Sequence, residues 1–201
     1  MKAADFSLSE DLRFDTERGV ISFRDKRLVI FDANAIGLLR NNLVKEFGIL
    51  KARQFFLRFG YQQGYTDFIQ IKTNYKFDTE MDLLVSGPVI HTWEGIAGVI
   101  PKDIEFSRAK GSFYFTGLWE NSYEAEQHIS SQNISDEPVC WTLMGYGSGW
   151  CTAFFGSPVI AIEPLCVGKG DDHCEWCIQP PAVWGERCRP YVDALKDLLN
   201  A

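Results

Sequence analysis

Cysteine placement in the last third of the chain constrains the fold more than any other feature. Cys140 is followed by Glu163, Cys166 and Cys174 in the run AIEPLCVGKGDDHCEW. Three thiols and a carboxylate on a short loop between ordered elements suit a closed, structural zinc site, with Zn–S bonds of about 2.3 Å and Zn–O bonds of about 2.0–2.2 Å. The spacing Cys166-x7-Cys174-x2-Cys177 is not that of a double CxxC finger, and Cys174 and Cys177 could bind together with Cys188 or His173. Free cysteine is also a common small buried hydrophobe. A metal in this region would brace the fold and not react, so function is sought upstream, at His91 in GPVIHTWEG.

The chain has 201 residues, enough for one main domain with a full core. The six cysteines therefore do not compensate for a missing core. The segment MKAADFSLSEDLRFD has no apolar signal-peptide core, and no window approaches 18 consecutive apolar residues. A cytoplasmic location with no membrane association is the expectation, and reduced thiols or metal ligands are expected over disulfides. A formal charge of −7 without a Lys/Arg cluster argues against direct nucleic-acid contact. Gly168-Lys169-Gly170 lacks the Walker A spacing, so ATP hydrolysis is not encoded. Fifteen Phe, seven Tyr and six Trp supply a core and leave aromatics to line a pocket.

Along the chain, Val20–Phe23 and Leu28–Phe31 predict an N-terminal hairpin. Asp32 predicts a cap for a helix carrying Ile36, Leu39, Leu43 and Phe47; after Gly48 a second helix continues to about Tyr65. A helix near Glu80–Val85 is expected to stop at Gly87-Pro88, and the alternation over 89–96 predicts a strand with Val89, His91 and Trp93 on one face. Ile104–Arg108 and Phe113–Trp119 form a predicted hairpin in which Phe113, Phe115, Gly117 and Trp119 share a face. Ser122–Ile129 reads as a helix, with Glu124 and His128 on a solvated face. Asp136 as cap and Pro138 in the first turn predict the next helix, with Cys140, Met144, Gly147 and Cys151 on one side; its glycines Gly145, Gly147 and Gly149 imply close packing against another backbone. Val159–Glu163 reads as a strand, and Pro190–Leu199 as an amphipathic helix.

The runs EPVCWTLMGYGSGWCTAFFG, IEPLCVGKGDDHCEW and PPAVWG, with QFFLRFGYQQG, GPVIHTWEG and GLWENSYEAE upstream, carry a resemblance. Together they resemble the N-terminal sensor domain of aromatic-responsive sigma-54-dependent activators of the XylR/DmpR type, whose core is the 4-vinyl-reductase (4VR) domain. The likeness spans about residues 12–186. It implies an α+β fold: a twisted, mainly antiparallel sheet flanked by helices, with a zinc-bound C-terminal lobe. The implied organisation is a dimerising N-terminal region at 1–65, a 4VR-type ligand-binding domain at 66–186 with its zinc lobe at 140–186, and a linker helix at 187–201. The family's three-Cys, one-Glu zinc set falls on Cys140, Glu163, Cys166 and Cys174, leaving Cys151, Cys177, Cys188 and His173 outside it.

The resemblance also implies a non-enzymatic, homodimeric sensor of phenol or a small substituted phenol, repressing an adjacent AAA+ ATPase until an effector binds. The His and Trp that hold the phenolic hydroxyl in the phenol-responsive branch match His91 and Trp119; hydrocarbon-responsive relatives lack that His. Strand parity and helix face add Trp93, Phe115, Met144, Trp150 and Ala161 as candidates for the apolar wall, each equally readable as plain core. Bulky Trp150 and small Ala161 depart from the phenol branch and imply an altered cavity shape. Two alternatives are a stand-alone 4VR carrier of a small molecule or tetrapyrrole, with His91 as an axial ligand, and a zinc-dependent enzyme. Four protein ligands would leave a catalytic zinc no open position.

Overall fold

A computed structural model describes residues 1–199; Asn200 and Ala201, the end of the expected linker helix, lie outside the described residues. After a short helix α1 (Leu8–Asp11), strands β1 (Leu12–Asp15), β2 (Val20–Phe23) and β3 (Lys26–Leu28) form a small antiparallel sheet in that order. It is a three-stranded meander where a two-stranded hairpin was expected, because the charged segment before Val20 pairs as β1. Helices α2 (Ala33–Phe47), α3 (Ile49–Asn74) and α4 (Glu80–Trp93) follow. Strands β4 (Gly98–Ser107) and β5 (Ser112–Glu120), helices α5 (Tyr123–Ser131) and α6 (Trp141–Phe155), and strands β6 (Ile160–Leu165) and β7 (Cys174–Gln179) complete the central region. The short α7 (Pro181–Trp184) and then α8 (Arg189–Leu199) close the described chain. The main sheet runs β4-β5-β7-β6, with every pairing antiparallel. The expected α+β architecture is therefore present.

The Asp32 carboxylate accepts from the Ala35 amide at 2.8 Å and so caps α2 as expected. Helix α3 does not stop near Tyr65 but runs to Asn74, so the expected boundary at residue 65 falls inside it. Its long contact is with α6, and glycines make that contact possible. A Cβ on Gly60 would stand 2.1 Å from the Thr142 carbonyl oxygen, and one on Gly149 would stand 2.0 Å from that of Tyr61. Gly64 and Gly145 meet the opposite backbone as closely. The helix-propensity cost of about 1 kcal/mol per glycine relative to alanine is offset by this close backbone packing.

Helix α4 overturns the strand expected over 89–96. Pro88 has no N–H, which leaves the carbonyl of Leu84 without its helical partner. The indole of Trp150 donates to that carbonyl at 2.9 Å, and the helix continues to Trp93. A side chain from α6 thus repairs the defect that the dipeptide Gly87-Pro88 advertises. On a helix, residues two apart point about 200° away from each other, so His91 is buried while Trp93 is 49% exposed.

The start of α6 is also set from elsewhere. Its N-cap is Cys140, not Asp136, and the first amides are bound by Glu124 of α5, which accepts from the Thr142 amide at 2.8 Å and the Leu143 amide at 3.2 Å. Glu124 is buried and lies 3.5 Å from the Arg40 guanidinium, whose Nη1 donates to the Val139 carbonyl at 2.7 Å. His128 is buried too, bonded to the Asn133 carbonyl at 3.0 Å. The pair expected on a solvated face therefore faces inward, because α5 supplies the carboxylate that the helix terminus needs.

Candidate ligand cavity and metal centre

Four elements converge on the two candidate sites. Helix α6 carries Cys140 at its N-terminus; β6 carries Glu163; Cys166 follows β6; and Cys174 opens β7. One ligand atom from each of these four lies within 4.8 Å of the other three, and all four residues are buried. Backbone amides point at the sulfurs: Val139 N–H at the Cys166 Sγ (3.5 Å) and Val167 N–H at the Cys174 Sγ (3.3 Å). The Cys166 amide donates to Asp171 at 2.7 Å, which shapes the loop between the ligands.

The donor set fits a soft divalent cation. Burial pushes the Cys140 thiol and the Glu163 carboxyl far above their ordinary pKa values, and the Glu163 Oε1 is buried with no hydrogen-bond partner. A cation would restore charge and satisfy that oxygen together. The group Cys140, Glu163, Cys166 and Cys174 could therefore hold a metal. Cys151, Cys177 and Cys188 stand outside it; Cys188 donates to the Gly185 carbonyl at 3.3 Å.

Adjoining this cluster is an apolar cavity of about 360 Å³ between α4, α6 and the main sheet. His91 enters from α4, Tyr146 and Trp150 from α6, Phe115 and Trp119 from β5, and Trp176 from β7. His91, Phe115, Trp119 and Trp150 thus stand together as the sequence suggested. Trp93 points outward, for the helical reason given above. Met144 and Ala161 are fully buried but do not line the cavity; Met144 lies on another side of α6, and Ala161 packs behind Gly147. Tyr146, Trp176, Leu143 and Ile178 were missed. The face Leu143, Tyr146, Trp150 is helically spaced and could have been read as a second stripe; Trp176 and Ile178 follow Cys174 at strand parity.

The polar content of the cavity is small. His91 is fully enclosed, and burial lowers its pKa to about 3, so its imidazole is neutral. Neither ring nitrogen has a protein hydrogen-bond partner among the described residues, and its close neighbour is the Tyr146 ring, 3.7 Å away between centroids. Trp150 spends its N–H on Leu84 and so serves only as wall. The cavity and the metal cluster share two elements. Trp119 and Cys174 are paired in the β5–β7 register, and Leu143 lies one turn beyond Cys140 on α6.

Comparison with known proteins agrees with this arrangement. The profile of the family described as activator of aromatic catabolism matches residues 7–107, and that of the 4-vinyl-reductase (4VR) domain matches 119–180. Phenol regulator MopR of Acinetobacter guillouiae is 32% identical over 178 residues, covering 88% of this chain and 32% of that protein. Transcriptional regulatory protein XylR of Pseudomonas putida is 29% identical over 179 residues, covering 89% of this chain and 32% of XylR. The chain thus spans about a third of the length of these relatives. The crystal structure of the phenol-responsive sensory domain of the transcription activator PoxR with phenol superposes with a TM-score of 0.86 at 31% identity, covering 94% of each chain. No helix among the described residues is long and apolar enough to cross a membrane.

Proposed function

This chain belongs to the activator of aromatic catabolism family, and from that premise we propose that its buried cavity is the receptor site for phenol or a small substituted phenol, and that filling it relieves repression of an adjacent AAA+ ATPase. The observation that carries the reading is His91: a neutral imidazole with an unused acceptor in an otherwise apolar, aromatic chamber. Such an acceptor matches a phenolic O–H, and an indole N–H can only donate, so Trp119 offers its proton to the phenolic oxygen. A hydroxyl taken from water into this space then keeps both its hydrogen bonds. The relative named a phenol regulator and the phenol-bound sensory domain of PoxR support the same ligand class.

Zinc is the proposed resident metal, held by Cys140, Glu163, Cys166 and Cys174 with no position open for chemistry. Bound there, it supplies cross-links between α6, β6 and β7. The protein's own residues do the rest: the aromatic wall excludes water, His91 and Trp119 orient the hydroxyl, and no group is arranged to make or break a bond. The domain acts as a receptor and not as a catalyst. Ligand can bias the repressing and permissive states only by its differential affinity for them. The α3–α6 seam is the path we propose from cavity to C-terminal linker helix, since α8 packs on α3 and Arg58 reaches Asp197 at 3.1 Å. A homodimer through the N-terminal region at 1–65 is supported by its bare apolar side chains: Phe47, Leu50, Phe55 and Phe59 are each more than half exposed.

Calorimetric titration of phenol, cresols and benzene into wild type and His91→Ala tests this reading. Phenol is expected to bind at least about tenfold more tightly than benzene to wild type, the loss of one buried hydrogen bond, and the variant is expected to lose that preference. Equal binding of benzene and phenol, unchanged by the substitution, would sink it.

A further inference from the structure

The cavity holds a second indole donor with nothing to donate to. Trp176 is 2% exposed, lines the cavity, and has its Nε1 buried without a hydrogen-bond partner. Other buried or half-buried indoles in the protein are satisfied: Trp141 donates to the Pro138 carbonyl at 2.8 Å, Trp150 to Leu84 at 2.9 Å, and Trp184 to Ile160 at 2.8 Å. Buried N–H groups are rarely orphaned, and each one left so carries a desolvation cost that a partner would remove. The two tryptophans of the cavity, Trp119 and Trp176, are the buried ones whose N–H groups the described residues leave free.

The direction of the Trp176 N–H is fixed by its surroundings. In the β5–β7 register Trp176 stands opposite Gly117. Its ring lies across that glycine, where a Cβ would come within 2.4 Å of Cζ2 and 2.8 Å of Cε2. Gly117 is thus the space that lets the indole lie flat on the sheet. Phe115 meets it edge-on at 4.7 Å, and Trp119 stacks along it at 6.1 Å with planes 28° apart. A ring held on three sides cannot swing its donor elsewhere without repacking the wall.

We infer that Trp176 is a ligand-selecting residue of this cavity, its indole N–H meeting a second oxygen on the bound ring, so that the preferred effector is an uncharged phenol bearing an acceptor-only substituent such as an alkoxy group. The inference rests on the reading of the cavity as a phenol site. Because an indole only donates, an ether oxygen is its match; a second hydroxyl would bring a proton in need of an acceptor that the apolar wall does not supply. No Lys or Arg lines the cavity among the described residues, which disfavours a carboxylate substituent.

The test compares each of the three methoxyphenols with the ethylphenol of the same ring position, a pair differing by O for CH2, and uses phenol as reference. Calorimetry is run on zinc-loaded wild type, Trp176→Phe and His91→Ala. For at least one ring position, wild type is expected to bind the methoxyphenol at least tenfold more tightly than its ethyl partner, and Trp176→Phe to bring that ratio near one while still binding phenol. If Trp176→Phe does not fold, the benzothienyl analogue of tryptophan placed at 176 removes only the N–H and keeps the ring shape. Phenol bound in a His91-dependent way with a methoxy-to-ethyl ratio near one throughout, or a ratio that survives removal of the Trp176 N–H, overturns the Trp176 assignment alone. Failure of phenol and all six substituted phenols to bind wild type overturns the phenol-site reading and this inference with it.

Discussion

The Tyr146 ring lies over the His91 imidazole, with centroids 3.7 Å apart and planes inclined by 41°. That contact, with Pro88 and Trp150 around it, keeps the imidazole dry and holds its pKa near 3. Phenol itself ionises near pH 10, as tyrosine does. Affinity for phenol is therefore expected to stay within about twofold from roughly pH 6 to 8.5, as measured by calorimetry; a tenfold fall on going from pH 8 to 6 would show the imidazole titrating. Stability has a definite sign. His91 is depressed from 6.5 to about 3 on folding, so its contribution is present above the unfolded value and is lost as pH falls towards the folded one. Thermal melts of His91→Gln should lack that acid-side loss.

Glu94 behaves in the opposite sense. It ends α4 beside the small polar cluster of Asp67 and Lys26, and its Oε2 is buried without a partner. Burial, reinforced by the Asp67 charge and opposed by Lys26, raises its pKa from 4.5 to about 7. The folded state holds the proton more tightly than the unfolded one, so the stabilising contribution is complete below pH 4.5 and disappears as pH rises through about 7. Its magnitude is on the order of 2 kcal/mol. Glu94→Gln keeps the shape without the charge. Relative to wild type it should gain melting temperature between about pH 5 and 8, by roughly 4–8 °C for a domain of this size; parallel pH profiles for the two proteins would contradict the assignment.

The α3–α6 seam makes a sharper demand. Alanine at Gly60 or Gly149 would place a methyl about 2 Å from the opposing backbone oxygen, and backbone cannot rotate aside as a side chain can. Each substitution should cost at least about 3 kcal/mol, the upper part of the overpacking range. Gln62→Ala, on the exposed side of α3, should be neutral within about 0.5 kcal/mol. Chemical denaturation of the three variants decides the matter, and near-wild-type stability of Gly149→Ala would mean that the helices do not meet there.

The glycines show what could be read from sequence. Gly145 and Gly149 are costly on a helix, and the close backbone approach that this cost implied is present. The hairpin β4–β5 and the shared face of Phe115, Gly117 and Trp119 follow from local alternation, and the thiol cluster from composition and resemblance. What could not be read was every feature that depends on a distant partner. Pro88 ends a helix unless an indole 62 positions on binds the freed carbonyl of Leu84. Glu124 looks solvated until α5 is placed over the N-terminus of α6, beside Arg40. Trp176 follows Cys174 at strand parity, but its role in the wall appears only when β7 is paired with β5.

That same β5–β7 pairing links metal to ligand. Cys174 stands in register with Trp119, and Cys140 begins the helix that carries Leu143, Tyr146 and Trp150 into the cavity. Removing the cation would leave Glu163 and three thiols buried among themselves with nothing to balance the carboxylate, so the lobe must loosen or take up protons. Chelator treatment, Cys166→Ser or Glu163→Gln should each abolish stoichiometric zinc and lower stability by several kcal/mol, on the order of 5. Cys177→Ser and Cys188→Ser should retain one zinc per chain, because both thiols lie outside the cluster. Phenol affinity should fall at least about tenfold on zinc loss, although no metal ligand lines the cavity. Elemental analysis paired with calorimetry on the same samples separates the alternatives: full phenol affinity in metal-free, folded protein would show that the aromatic wall stands without the brace.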